Sequence, residues 1–144
     1  MALSPIASTE QLLLLVRNHL LENEALTNLV GAEIRGVQYQ DADNITVKYP
    51  RVAIEMDGGY TVAASTYQSV TMFLYAYSRD SRGDAQKIYD AVHAALQHQL
   101  LRQDGISVAG YCMESGRPDF GWSERPRAYF ARGLWTVRAA HRSS

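Results

Sequence analysis

Four histidines, one cysteine and a few closely spaced carboxylates are the side chains of this 144-residue sequence best suited to metal binding or nucleophilic chemistry. His19, His93, His98 and His141 are scattered along the chain. His93 and His98 stand five apart, a spacing that does not align two ligands on one helix face. No HExxH pair occurs, so no metal site is expected. Cys112 lies between Tyr111 and Met113 in an apolar stretch, with no basic residue within three positions. A thiol so placed packs as a small hydrophobe and lacks the cationic neighbour that would make it reactive. Asp41 and Asp43 share a polar segment, Asp41-Ala42-Asp43-Asn44, that reads as turn chemistry. Neither a GxSxG elbow nor a GxGxxG, P-loop or EF-hand pattern is present. The expectation is therefore no catalytic residue, no cofactor and no metal, and a protein that is not an enzyme.

Arginine and aromatic side chains carry the stronger signal. Arginine supplies 12 of the 14 basic residues. Residues 1–101 hold 7 basic and 11 acidic side chains, whereas residues 102–144 hold 7 basic and 4 acidic. An acidic front and a basic rear can pair between neighbouring copies, and the planar guanidinium fork suits interface ion pairs. A solvated surface with an uneven scatter of charge gives the same counts. In the rear third Arg117, Arg125, Arg127, Arg132 and Arg138 are interleaved with Trp122, Tyr129, Phe130 and Trp135. That mixture fits either an oligomer interface with aromatic anchors or a single-stranded nucleic-acid module that stacks bases over a charged groove. The formal net charge of −1 argues against a protein that binds nucleic acid through bulk positive charge.

These groups need a scaffold, and the chain is long enough for one domain spanning residues 1–144. Hydrophobic residues make up 47% of it, ordinary for a folded protein and too many for a disordered one. The apolar run Leu12–Val16 is far short of the roughly 18–20 residues of a membrane span. With no basic residue in Met1–Gln11 to head a secretory signal, the chain is expected to stay in the cytoplasm or to leave only within a larger particle.

Ser8 and Gln11 form a capping-box pattern ahead of a helix ending near Leu21. Asn23 caps a short helix through Val30, with Leu26, Leu29 and Val30 inward and Gly31 as its stop. Strands are expected at 33–40, at Arg51–Met56, at Thr66–Ser78, at Ile106–Met113 and at Ala128–Ala140. Asp57-Gly58-Gly59 reads as a turn. Asp84–Leu101 reads as the clearest helix, with Ile88, Val92, Ala95, Leu96 and Gln99 on one face. Glu114–Arg127 reads as a long exposed loop or an extended hairpin. The fold class that follows is α+β: a mostly antiparallel sheet of about four to five strands with two main helices on one face. Thr66–Ser78 has bulky groups on both faces, so helices should cover one side and a partner or second sheet the other.

The order of these elements is similar to that of the tail terminator, or tail-completion, proteins of tailed bacteriophages. The stretches that carry the likeness are Asn23–Gly31 (NEALTNLVG), Tyr49-Pro50 leading into Val52–Met56, Tyr75-Ala76-Tyr77-Ser78, Ala85–Val92 (AQKIYDAV) and Gly133–Ala139 (GLWTVRA). The likeness runs along about the whole chain; Ile106–Arg127 reads as longer and richer in loop than a minimal member. The resemblance implies a subunit of a homo-oligomer, a hexameric ring, that caps the phage tail tube protein and meets the head-side connector, or stopper. Genomic DNA would pass through its lumen without sequence-specific binding. It further implies a place at the head–tail interface of the virion, reached from the host cytoplasm during assembly, and no membrane partner. A head-closure or adaptor protein of the neck is the related alternative.

Interface residues are expected in the loops. Arg79, Asp80 and Arg82 end the long strand, where charged groups can meet a neighbour. Arg117, Asp119, Trp122, Glu124, Arg125 and Arg127 belong to the long loop and are expected against a ring neighbour or the adjoining tube.

Overall fold

The computed structural model describes residues 9–36, 48–61, 68–124 and 127–141. Helix α1 (Thr9–Leu21) and helix α2 (Glu24–Val30) come first, followed by the short strand β1 (Ile34–Gly36). Strands β2 (Arg51–Thr61) and β3 (Gln68–Ser78) precede helix α3 (Arg82–Leu96). Strands β4 (Gln99–Leu101), β5 (Val108–Glu114), β6 (Asp119–Ser123) and β7 (Ala128–His141) complete the chain. The strands form one sheet in the order β1-β2-β3-β7-β5-β4, with β6 also on β7. Only the β1–β2 pairing is parallel among the described strands.

The helix ends follow local chemistry. Asn23 Oδ1 accepts from the Leu26 N–H at 2.9 Å, satisfying a first-turn donor of α2. Gly31, at φ +62°, donates its N–H to the Thr27 carbonyl and stops that helix. Ser81 Oγ accepts from the Asp84 N–H at 3.1 Å and starts α3. Arg17 Nε donates to the Ile34 carbonyl at 2.7 Å, fastening α1 to β1. His19 Nε2 donates to the Ala95 carbonyl at 2.9 Å, fastening α1 to the end of α3.

All three helices lie on one face of the sheet. Leu12, Leu15, Val16 and Leu20 of α1 and Ile88, Val92 and Leu96 of α3 share a core with Ile54, Met72, Leu74, Trp135 and Val137 of the strands. The alternate residues Ala53, Tyr77 and Ala128 make a smaller cluster on the opposite face, with Tyr49, Tyr75 and Phe130 against it. Strand alternation thus separates a largely apolar helix-covered face from an aromatic face that no helix among the described residues covers.

The sequence reading needs four corrections, and one of its alternatives is decided. Among the described residues the sheet has seven strands, more than the four to five expected, because β4 and β6 are short. The last main helix ends at Leu96, not Leu101: the chain turns at Gln97 and His98, the latter at φ +58°, and Gln99 sits exposed in β4. Asp57-Gly58-Gly59 is no turn; β2 runs through it with a register shift between Met56 and Gly59, where the glycines accommodate a bulge. Leu29 is exposed, because α2 is too short to bury more than Leu26 and Val30. The stretch 114–127 contains β6, so of its two readings the hairpin is the one that forms. Ser8, residues 37–40, Thr66 and Tyr67 lie outside the described residues.

At one point helix and sheet approach almost to contact. A Cβ added at Gly133 would stand 1.6 Å from the Tyr89 hydroxyl oxygen. That hydroxyl accepts from Trp135 Nε1 at 3.1 Å and donates to Glu114, joining α3, β7 and β5. Gly133→Ala should cost roughly 2–3 kcal/mol, since a buried ring must be displaced from its hydrogen bonds. Urea unfolding followed by tryptophan fluorescence measures it, and an unchanged midpoint would contradict the close contact.

Candidate assembly surface

Arg79, Asp80, Arg82, Glu124 and Arg127 of the charged groups singled out in the sequence gather at one end of the sheet. Tyr77 pairs with Phe130 and Ser78 with Tyr129, so the exit from β3 lies beside the start of β7. The β6–β7 hairpin therefore sits next to the turn that joins β3 to α3. Arg79 and Asp80 are exposed in that turn, where the Asp80 N–H donates to Ser78 Oγ at 3.1 Å. Arg82 opens α3, and its guanidinium carbon lies 5.6 Å from the centre of the Phe120 ring on β6. Asp119 and Trp122 belong to β6, whereas Glu124 and Arg127 are exposed in its turn, Arg127 at φ +64°. Arg117 is exposed in the link between β5 and β6, on the far side of the hairpin strand. Arg125 lies outside the described residues.

Asp119 and Trp122 have partners across the β6–β7 hairpin. Asp119 forms an ion pair with Arg132 directly across the β6–β7 ladder. Both are substantially exposed, so the pair orients the two side chains more than it stabilises the fold. Its hydrogen bond to Asp119 is the main reason the Arg132 guanidinium holds its proton more firmly than usual. Trp122 packs edge-on against Tyr129 with ring centres 4.9 Å apart and stays 46% exposed. The aromatic residues of the last third divide between faces: Trp135 is fully buried under α3, while Phe130 packs on the opposite side. They do not form one stacking platform.

A second feature was not visible as a motif. Phe73, Tyr75 and Tyr77 point to the helix-free face at successive alternate positions of β3. Tyr75 and Tyr77 stack in parallel, 5.8 Å apart, and Tyr49 meets Tyr77 edge-on at 6.3 Å. Arginines bracket this row of rings. Arg79 lies 4.1 Å from the centre of the Tyr49 ring, and Arg132 lies 5.9 Å from that of Phe73. Tyr75 donates to Glu55 at 3.2 Å; burial and this carboxylate both push its phenol pKa up. Burial also raises Tyr49, against the opposing pull of Arg51 and Arg79. The alternation of β3 announced two bulky faces, but only the register of β2 and β7 shows which residues extend the row.

An open cavity of about 260 Å³ lies at the same end of the sheet, lined by Leu29, Pro50, Asp80, Asp84, Lys87 and Ile88 among others. Among the described residues, no group of three His, Cys, Asp or Glu could hold a metal ion. No described helix is long and apolar enough to cross a membrane. The arrangement offers contacts: exposed guanidinium groups, an exposed indole and a row of stacked phenols.

No protein family and no curated protein matches this sequence. Among solved structures the chain is similar to one from the virion of a native gene transfer agent particle. The TM-score is 0.71 at 15% identity, over 94% of this chain and 98% of that one. The two share a fold along nearly their whole length.

The groups with raised pKa values set an alkaline limit on stability. Burial pushes the Cys112 thiol from 9.0 to about 12. Between those values the unfolded chain binds fewer protons than the folded one, so stability falls as pH rises through this window. The buried phenols act in the same direction. Urea midpoints measured across this range should fall steadily. Cys112→Ala should flatten part of the slope, by no more than about 4 kcal/mol over three pH units. An equal slope in both proteins would exclude the thiol as a contributor.

Proposed function

We propose that this chain is a structural virion protein that works by docking and carries out no reaction. In this reading it is a tail terminator: copies assemble into a ring, a hexamer by the sequence resemblance, that caps the tail tube. The ring joins the tube to the head-side connector, and DNA passes through its lumen. The observation that carries the reading is the fold shared with a virion chain over 94% of this sequence. The surface chemistry supports it as well. Exposed arginines, Trp122 and a row of tyrosines are the residue types that dominate interface energies. A near-neutral chain also suits a lumen through which DNA slides, because each phosphate contact would add salt-sensitive grip.

Light scattering on a sizing column, with and without purified tail tubes, tests self-assembly. Rings that form alone or on tube ends are expected; a strict monomer under both conditions would overturn the reading. Electron cryomicroscopy of particles then separates the tail side of the neck from the portal side, where a head-closure protein would sit. Reversing Arg125 and Arg127 to Glu should reduce assembly at least tenfold while leaving the circular dichroism melt within a few degrees; at Arg127 the exposed charge contributes little to folding. Unchanged assembly would remove this hairpin from the contact.

A further inference from the structure

Arg51 is the most unusual charged residue in the described chain. It is 1% exposed, and its Nη2 has no hydrogen-bond partner. It stands at the start of β2 on the helix-free face, paired with Tyr77. The groups that bear on it are Tyr49, Tyr77, Glu33 and Arg35. Glu33 and Arg35 are themselves 3.5 Å apart, so their charges largely offset one another. A guanidinium keeps its proton even when burial lowers its pKa, as here. A buried cation without a matched anion is strongly disfavoured, and an apolar side chain of similar length would occupy the space at less cost.

We infer that Arg51 is the floor of a socket for a carboxylate side chain, brought by the helix layer of a second copy of this chain, with Tyr49 and Arg79 as the cover. The Tyr49 ring carries the Arg79 guanidinium on its face at 4.1 Å, and both residues lie outside the strand ladders. Side-chain rotation alone would open the path, and it would leave Arg79 beside the incoming anion as a second fork. The cover is one stacked pair, a tyrosine ring and a guanidinium, and its displacement admits a single side chain. A phosphodiester, flanked by sugars on both sides, fits such an opening poorly, whereas a carboxylate ends its chain and can accept from the fork with two oxygens. The donors stand on the opposite side of the subunit. Glu10 on α1, Glu24 on α2 and Asp90 on α3 are exposed and form no ion pair among the described residues. A socket on one face and its carboxylate on the other make a head-to-tail contact, the kind that closes into a ring. The choice of a second copy as occupant rests on the ring reading; the existence of the socket does not.

The experiment has two arms. Melting of the wild-type chain is followed in sodium glutarate and in sodium chloride of equal ionic strength, beside Arg51→Met and Arg79→Gln. Glutarate should raise the wild-type midpoint by roughly 2–4 °C over chloride and leave Arg51→Met unmoved. Arg79→Gln, at an exposed site that should fold normally, should show a smaller rise. Equal midpoints in glutarate and chloride would overturn the socket. A rise with inorganic phosphate or a short DNA duplex, but not with glutarate, would overturn the carboxylate. In the second arm, light scattering should show self-association of Arg79→Gln weakened at least tenfold, and of the triple variant Glu10→Gln, Glu24→Gln, Asp90→Asn likewise. A glutarate response in a wild-type chain that never self-associates would reject the second copy while leaving the socket standing.

Discussion

The pairing of β3 with β7 governs the rest of the molecule. Every residue from Gln68 to Ser78 has a partner between Ala139 and Tyr129. Because side chains alternate, a slip of one position would carry Trp135 and Val137 out of the core and bring Leu134 and Arg138 into it. The register therefore assigns each face its character at once. It also sets the two ends. The exit of β3 is brought beside the start of β7, and that proximity gathers the Arg79–Arg82 turn and the β6–β7 hairpin on one rim.

On the helix-covered face, polar side chains from three elements meet at one junction. There the Tyr89 hydroxyl lies between Trp135 and Glu114, while His93 Nε2 approaches the other oxygen of Glu114 at 3.4 Å from the outside. The Glu114 N–H is accepted by Gln97 Oε1 at 2.8 Å. At this junction the Tyr89 hydroxyl, the Trp135 N–H and the Glu114 carboxylate are each satisfied by a named neighbour, the usual condition for burying such groups. The junction holds α3 against the point where β5 gives way to β6. Its closeness depends on residue 133 having no side chain.

Much of this was legible in the sequence. Asn23 and Gly31 bound α2 as their chemistry requires, and the alternation of Gln68–Ser78 and of Ala128–Ala140 marked the two central strands. The misses share a cause. Gly116, Pro118 and Gly121 left loop and hairpin both open, because β6 gains its place only by pairing along β7, where the Phe130 ring lies against the missing side chain of Gly121. Three residues of β4 are too few to show a period, and they form a strand because β5 is beside them. Of the surface, the loop charges were visible one by one. Arg51 was read as an ordinary strand residue, since nothing local distinguishes a buried guanidinium from an exposed one. Its isolation depends on Tyr49, two residues before it, and on Tyr77, which only the folded register places beside it.

The use of arginine over lysine becomes intelligible on this surface. A lysine ammonium is strongly hydrated and moves on a flexible stem, so fixing it at a contact is costly. Arg79 on Tyr49 and Arg132 on Phe73 are planar groups lying near rings, already restricted before any partner arrives. Arg132 is held a second time by Asp119. Aromatic side chains with two torsions lose little freedom on contact, and the parallel stack of Tyr75 and Tyr77 limits them further. A face built from such groups has spent much of its ordering entropy during folding. Association then needs mainly to exclude water from rings that are half dry already, and this favours docking between preformed surfaces over folding upon contact.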